Sequence, residues 1–372
     1  MLARVLIIDK KVKQTPYQIV SLKDFRFSEG DTLNAHIVIE DPNISLYCLD
    51  DETQSAIFTE TPAQVNLYRD PFYYQAQYEN AIRLLAVPYE RLFQLSNDLR
   101  IEDERLILIY SVARCGSTLV SSAFSQINDV VSLSEPDVYS QLVIMRNLGL
   151  ASDAEISNLL QACTKVLCKR PTHQHVPSGW ALKFRGLGIE LADLFYEHFP
   201  RAKIIFLYRN AETWCESYAR AFGLLHPAAE QNIAKLREAW KPLAPFLSLG
   251  TIENLSVVGL SLLIWLRIMD TYMQLACKGI PMLAVRFEDL TGAPEQVIEA
   301  VLKYCHMSVA DLAKVNDALR KDSQAGTVLS QANVRQRTVD LTEQHLVDIN
   351  EVLQEHPTIQ TPNFTVPNTL QM

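Results

Sequence analysis

The run Leu106-Ile-Leu-Ile-Tyr110, the polar stretch after it, Gly116 and the segment Ser117–Gln126 constrain the fold most. A strand with no polar side chain is buried on both faces, as in a parallel sheet covered by helices. A glycine turn that follows such a strand and opens a helix is the start of an α/β unit. Four further short apolar runs recur downstream, at Val130–Leu133, Ala181–Phe184, Lys203–Tyr208 and Met282–Phe287. Helical segments separate most of them, including a long one from Leu255 to Lys278. Strand and helix in alternation predict an α/β fold, a P-loop type parallel sheet flanked by helices.

Before residue 100 the pattern differs. Short runs at Val5–Ile8, His36–Ile39 and Leu46–Cys48 read as strands, with turns at Glu29-Gly30-Asp31 and Asp41-Pro42-Asn43. Residues 73–97 carry apolar positions at helical spacing, among them Ala81, Ile82, Leu84, Leu85, Leu92 and Leu95. The expected organisation is a small β-rich N-terminal module over 1–100, a P-loop α/β domain over 101–356, and a loose proline-containing tail over 357–372.

Bulk properties narrow the function classes. The net charge of −9 argues against general affinity for nucleic acid or anionic membranes. Seven cysteines, odd in number and irregular in spacing, form neither a zinc framework nor a disulfide scaffold. They suit a reducing, cytoplasmic setting. The N-terminal apolar run is too short for a signal peptide. The most apolar stretch, Val257–Leu266, is half the roughly 20 residues a bilayer needs.

The loop after the first buried strand, Ser111-Val-Ala-Arg-Cys-Gly-Ser-Thr118, has the makings of an anion site. Gly116 lets backbone amides approach an anion closely, and the helix start adds its dipole. Ser117 and Thr118 add hydroxyls, and Arg114 adds a fixed charge. A nucleotide triphosphatase loop would carry a lysine where Ser117 stands, and a leading glycine that is absent here. Such a loop is poorly suited to a triphosphate with Mg²⁺. A second anion position follows Lys203–Tyr208, with Arg209 at the strand end, Asn210 as helix cap and Ser217 eight positions after the arginine.

At these residues the chain resembles the sulfotransferases that use 3′-phosphoadenosine 5′-phosphosulfate (PAPS). The string Ala113-Arg-Cys-Gly-Ser-Thr-Leu119 is similar to their 5′-phosphosulfate loop, with Cys115 in place of the usual serine. Arg209 and Ser217 match the pair that holds the 3′-phosphate in that family. The resemblance spans about residues 105–340. It implies PAPS as co-substrate and no metal, with Arg114, Cys115, Gly116, Ser117, Thr118, Arg209 and Ser217 as donor-binding residues. A late basic loop, Lys321–Arg337, corresponds to the segment that closes over the nucleotide, which adds Ser330 and Arg335. The string Val285-Arg-Phe-Glu-Asp-Leu290 is similar to a late-strand motif of the family, with Glu288 and Asp289 in a structural role.

Sulfuryl transfer needs a base for the attacking group and a positive charge for the leaving oxygen. Glu135, after the second short strand, is the expected base. A glutamate in an equivalent place serves so in the similar tyrosylprotein sulfotransferases. Lys183 is the expected partner of the leaving oxygen, with Arg114 assisting. Small-molecule enzymes of the family carry a histidine base two residues after this lysine. That position here is Arg185, which cannot take a proton. His173 and His175 are the alternative bases. The acceptor class left open is a small molecule, a peptide or a carbohydrate. Two other readings remain at this point, a P-loop small-molecule kinase and a non-catalytic nucleotide-binding scaffold.

Overall fold

The protein is described by a computed structural model covering residues 2–170, 177–226, 231–327, 329–337 and 339–372, without the side chain of Arg335. Two sheets organise it. The N-terminal sheet is antiparallel, built from β1 (Leu2–Lys11), β2 (Phe25–Asn34), β3 (Ile44–Asp50), β4 (Ser55–Glu60) and β5 (Arg83–Pro88), in the order β2-β1-β5-β4-β3.

The expected helical stretch over 73–97 is in fact helix Tyr73–Asn80, strand β5 and helix Tyr89–Asn97. Leu84, Leu85, Ala86 and Val87 are all buried, because β5 is paired on one side with β1 and on the other with β4. Four consecutive buried residues fit a central strand as well as a helix, so periodicity alone could not separate the two. Residues Ile37–Glu40 form a helical turn instead of a strand. There Asn34 Oδ1 accepts the His36 N–H, and Ala35 and Val38 point inward three positions apart. Gly30 lies within β2, where the register with β1 shifts between Arg4 and Leu6, so it marks a bulge and no turn.

The second sheet comprises β6 (Leu106–Ser111), β7 (Val130–Ser134), β8 (Gly179–Lys183), β9 (Lys203–Tyr208) and β10 (Met282–Arg286). It is parallel, in the order β10-β9-β6-β8-β7, and helices flank it, as the strand–helix alternation predicts. β6 and β9 are apolar along nearly their whole length and almost wholly buried. Arg114, Glu135, Lys183 and Arg209 each lie at or just after the carboxyl end of one of these strands, the edge where open α/β sheets carry ligands.

The chain divides into two compact units. The first joins residues 1–109 to 124–203, so the N-terminal sheet belongs with β7 and β8 and does not stand apart at residue 100. Buried polar bonds tie it there. Lys169 donates to the carbonyls of Val38, Asp41 and Ile44 at 2.8, 2.5 and 2.5 Å. Gln141 bonds both the N–H and the C=O of Leu49. Ser134 donates to the Pro71 carbonyl at 2.7 Å.

The second unit holds residues 110–123 and 204–372, with the helices Ala211–Phe222, Val257–Cys277 and Glu343–Glu355. Among the described residues no helix is long and apolar enough to cross a membrane. The C-terminal segment is not loose, contrary to expectation. Thr369 bridges Ala284 of β10, the Asn368 carbonyl accepts the Ala284 N–H, and Leu370 N–H donates back to Ala284. Ile359 and Val366 of the same segment are buried. The segment finds partners because β10 is an edge strand whose polar backbone must be satisfied.

Candidate active site

In the second unit the loop after β6 adopts an uncommon backbone. Ala113, Arg114 and Gly116 have φ of 60°, 51° and 83°. Left-handed non-glycine residues cost energy and collect at functional loops. Protein donors hold the bend from behind. Trp214 Nε1 bonds the carbonyls of Val112 and Ala113 at 2.8 and 3.1 Å, and Arg209 Nη1 bonds that of Arg114 at 3.1 Å. The Val112 and Ala113 N–H groups donate to the Leu207 carbonyl and to Ser111 Oγ at 3.1 and 3.3 Å.

Gly116 is required twice over, by its positive φ and by space. A Cβ there would lie 2.7 Å from Leu290 Cδ2 and 3.5 Å from Phe287 Cδ2. The Val285–Leu290 string therefore packs directly against the anion loop. Ser117 and Thr118 start the helix Ser117–Phe124 and are buried. The Cys115 side chain is wholly buried and its Sγ donates to the Leu207 carbonyl at 3.3 Å.

Two of the expected donor-binding side chains, Arg114 and Ser217, meet in this unit, and a third, Arg209, reaches the backbone beside them. Arg114 Nε lies 3.4 Å from Ser217 Oγ, and Arg209 reaches the Arg114 carbonyl. Arg209 also donates from Nε to Thr213 Oγ1 at 2.9 Å and stacks on the Phe287 ring at 4.3 Å. Trp265 Nε1 holds the Arg209 carbonyl. Burial lowers the Arg209 pKa, against the pull of the nearby Glu288 carboxylate. The Arg114 guanidinium beside the Ser217 hydroxyl suits a charged oxygen of an anion. As expected from sequence, Asn210 caps its helix, accepting from the N–H groups of Glu212 and Thr213. Glu288 is structural, since its Oε1 accepts the Asn210 N–H at 3.1 Å.

Gln324 went unnoticed in the sequence. Its Oε1 accepts from Arg114 Nη1 at 3.1 Å, which places the late basic loop against the anion loop through a neutral residue. Ser330 in the same loop is buried and caps the helix Gln331–Arg335. The Arg335 side chain and both His173 and His175 lie outside the described residues.

In the first unit Glu135 has φ of 62° and its N–H donates to the Lys183 carbonyl at 2.7 Å. Its carboxylate is ion-paired with Lys183 Nζ, and the two side chains are 13% and 4% exposed. The register of β7 and β8 sets Ser134 opposite Lys183, which brings the two together. A second pair lies two residues on in both segments. Arg185 Nη1 bonds both carboxylate oxygens of Asp137 at 3.0 Å, and Arg185 Nη2 donates to the Tyr17 carbonyl at 2.7 Å. Asp137 is buried and also accepts the Val20 N–H. Burial raises the Asp137 pKa while Arg185 opposes the shift. Arg185 is thus held by Asp137 and by the Tyr17 carbonyl. Among the described residues no His/Cys/Asp/Glu cluster could hold a metal ion.

The family model described as Sulfotransferase family matches residues 107–311, more than half of the chain. The chain belongs to the sulfotransferase family. Solved structures similar to it include a mouse sulfotransferase, SULT7A1, complexed with PAP, at 12% identity over 72% of this chain and 89% of that one, with a TM-score of 0.40. The sulfotransferase STF9 from Mycobacterium avium is 12% identical over 72% of this chain and 79% of that one, with a TM-score of 0.42. A sulfotransferase from Alicyclobacillus acidocaldarius is 11% identical over 68% of this chain and 93% of that one, with a TM-score of 0.37. No curated protein matches in sequence.

Proposed function

We propose that the chain transfers a sulfuryl group from PAPS to a hydroxyl or amine of a small-molecule, peptide or carbohydrate acceptor, with Glu135 as base. The observation that supports this reading is the positive-φ loop at Gly116, with the Arg114 side chain on Ser217 and Arg209 on the Arg114 carbonyl. Those residues fit PAPS: the loop and Arg114 for the 5′-phosphosulfate, Arg209 and Ser217 for the 3′-phosphate. Thr118 and Ser117 add hydroxyls at the helix start. Ser330 and Arg335 belong to the closing loop.

In the reaction the acceptor oxygen or nitrogen forms a bond to sulfur. The bond from sulfur to the bridging phosphate oxygen breaks, and its electron pair stays on that oxygen. Glu135 takes the acceptor proton, which leaves adenosine 3′,5′-bisphosphate (PAP) and the sulfated acceptor. Lys183 supplies the positive charge for the bridging oxygen.

A nucleotide panel read by melting temperature tests this proposal. PAP should stabilise the protein without metal and ATP–Mg²⁺ should do so poorly. Arg209→Ala should weaken PAP roughly tenfold to a hundredfold, the worth of a charge-assisted bond of about 1.5–3 kcal/mol. It should weaken adenosine 5′-phosphosulfate much less. A larger shift with ATP–Mg²⁺ than with PAP would reject the reading in favour of a kinase.

A further inference from the structure

In the second unit the helix Ala211–Phe222 follows Arg209 and carries Ser217. The first N–H groups of a helix seek a cap or an anion. Here they are spent within the protein. The Pro362 carbonyl accepts the Ala211 N–H at 2.9 Å, and Asn210 Oδ1 accepts those of Glu212 and Thr213 at 3.0 and 3.2 Å. The turn before the helix is held as firmly. Trp265 Nε1 donates to the Arg209 carbonyl at 3.1 Å, and Glu288 Oε1 accepts the Asn210 N–H at 3.1 Å. An anion that comes to this turn is therefore read by side chains.

The Arg209 side chain is oriented before any anion arrives. Its Nε donates to Thr213 Oγ1 at 2.9 Å, its Nη1 donates to the Arg114 carbonyl at 3.1 Å, and its guanidinium lies on the Phe287 ring at 4.3 Å. The Thr213 hydroxyl donates in turn to the Asn210 carbonyl at 3.3 Å, which leaves an oxygen lone pair for Arg209 Nε. A guanidinium has five N–H groups. The protein takes one on Nε and one on Nη1, and Nη2 bonds no described residue. Thr213 also lies four positions before Ser217, so the two share one face of the helix.

From this arrangement we infer that Thr213 is a positioning residue for recognition of the donor's 3′-phosphate: it holds Arg209 by Nε and leaves the Nη2 edge of the guanidinium for the phosphate. The inference rests on the reading of Arg209 as a 3′-phosphate ligand. Its logic is pre-organisation. A loose arginine loses rotamer freedom when it grips an anion, and that loss subtracts from the affinity. An arginine whose Nε, Nη1 and ring face are already engaged has little freedom left to lose. Threonine suits the task because its hydroxyl is neutral. A carboxylate in its place would pair with the guanidinium and repel the incoming phosphate, and an apolar side chain would leave Nε without a partner.

The test is calorimetric titration of the full chain with PAP and with adenosine 5′-phosphosulfate, which lacks the 3′-phosphate. Thr213→Val keeps the shape of the side chain and removes its hydroxyl. It should weaken PAP about threefold to tenfold, the worth of one modest hydrogen bond, and leave adenosine 5′-phosphosulfate within about twofold. Thr213→Ser returns the hydroxyl and should bring PAP back to within about twofold of wild type. If Thr213→Val does not fold, Thr213→Ala takes its place, since alanine is the better helix former. A role confined to structure would lower the melting temperature and leave the ratio of the two affinities as in wild type, which overturns the inference. In an Arg209→Ala background Thr213→Val should cost PAP nothing further, because a positioning residue acts only through the residue it positions. A further loss of about threefold or more there would mean that Thr213 touches the phosphate itself, and would also overturn it. The two readings fail separately. Equal losses of both nucleotides in Arg209→Ala sink the assignment of Arg209 and this inference with it. Selective loss of PAP in Arg209→Ala, with an unchanged ratio in Thr213→Val, sinks this inference alone.

Discussion

Breaking the Glu135–Lys183 pair from each side in turn should give opposite dependences on pH. Both side chains are almost out of solvent. Removing one partner of a buried pair usually costs about 3–5 kcal/mol, because the other is left as an unpaired charge. Lys183→Met strands the carboxylate, which can escape by taking a proton. For a glutamate of ordinary pKa near 4.3, remaining protonated at pH 7 costs about 3.7 kcal/mol, at about 1.36 kcal/mol per pH unit. The same cost is about 1 kcal/mol at pH 5. The loss in Lys183→Met should therefore shrink from about 4 to about 1 kcal/mol as the pH falls over that range. The folded variant binds the extra proton, so acid favours it. Glu135→Gln strands the ammonium instead. Its amide oxygen can still accept the hydrogen bond, so the loss should be smaller, and it should shrink as the pH rises. The double variant should recover most of the stability lost in Lys183→Met. Urea denaturation of the three variants across pH 5–9 measures all of this. A loss in Lys183→Met that is below about 1 kcal/mol and flat with pH, or a double variant no better than Lys183→Met, would refute the reasoning. In the same Glu135→Gln protein, turnover on an acceptor found by screening should fall by about 10²–10⁴-fold, the usual worth of a general base. PAP affinity must be measured alongside, because a collapsed donor site would imitate a lost base.

Two further predictions come from other buried groups. Gly116→Ala should cost about 1–2 kcal/mol for its backbone alone, more for the overlap with Leu290, and should abolish the PAP thermal shift; Gly223→Ala has a similar φ of 64° and open space around its Cβ, so it should show the backbone cost only. Equal losses in the two variants, or a normal PAP response in Gly116→Ala, would refute the packing argument. Burial lowers the Lys169 pKa to about 7, with Asp41 opposing. The unfolded chain therefore holds this proton more tightly between about pH 7 and 10.5, and wild-type stability should rise with pH through that window. Lys169→Met should remove that slope, read as melting temperature against pH, and should also lower stability at pH 7 by leaving three backbone carbonyls without their donor.

Much of this protein is written locally. Leu106–Tyr110 and Lys203–Tyr208 form strands, as a short apolar run bounded by turn-prone residues and rich in isoleucine favours a strand covered on both faces. The backbone of the loop at Gly116 and the helix cap at Asn210 were legible for a similar reason. Gly116 permits the positive φ, Asn210 accepts the helix N–H groups, and the arginine and serine eight positions apart lie within one strand–helix turn. Each of these signals concerns a residue and its near neighbours in sequence.

The tertiary structure decided what depends on register and distant partners. Residues 83–88 became a strand because β1 and β4 flank them, although their burial pattern alone suits a helix too. The C-terminal segment was ordered by the open edge of β10, which its own polar composition does not reveal. Gln324 joined Arg114 across 210 positions, and no charge or motif marks it. Glu135 and Lys183 were each legible as candidates, but their pairing was not. It follows from the parallel register of β7 and β8, which sets Ser134 opposite Lys183. A sequence states which groups are charged. Only the packing, by removing water and fixing distances, states which charges must neutralise one another.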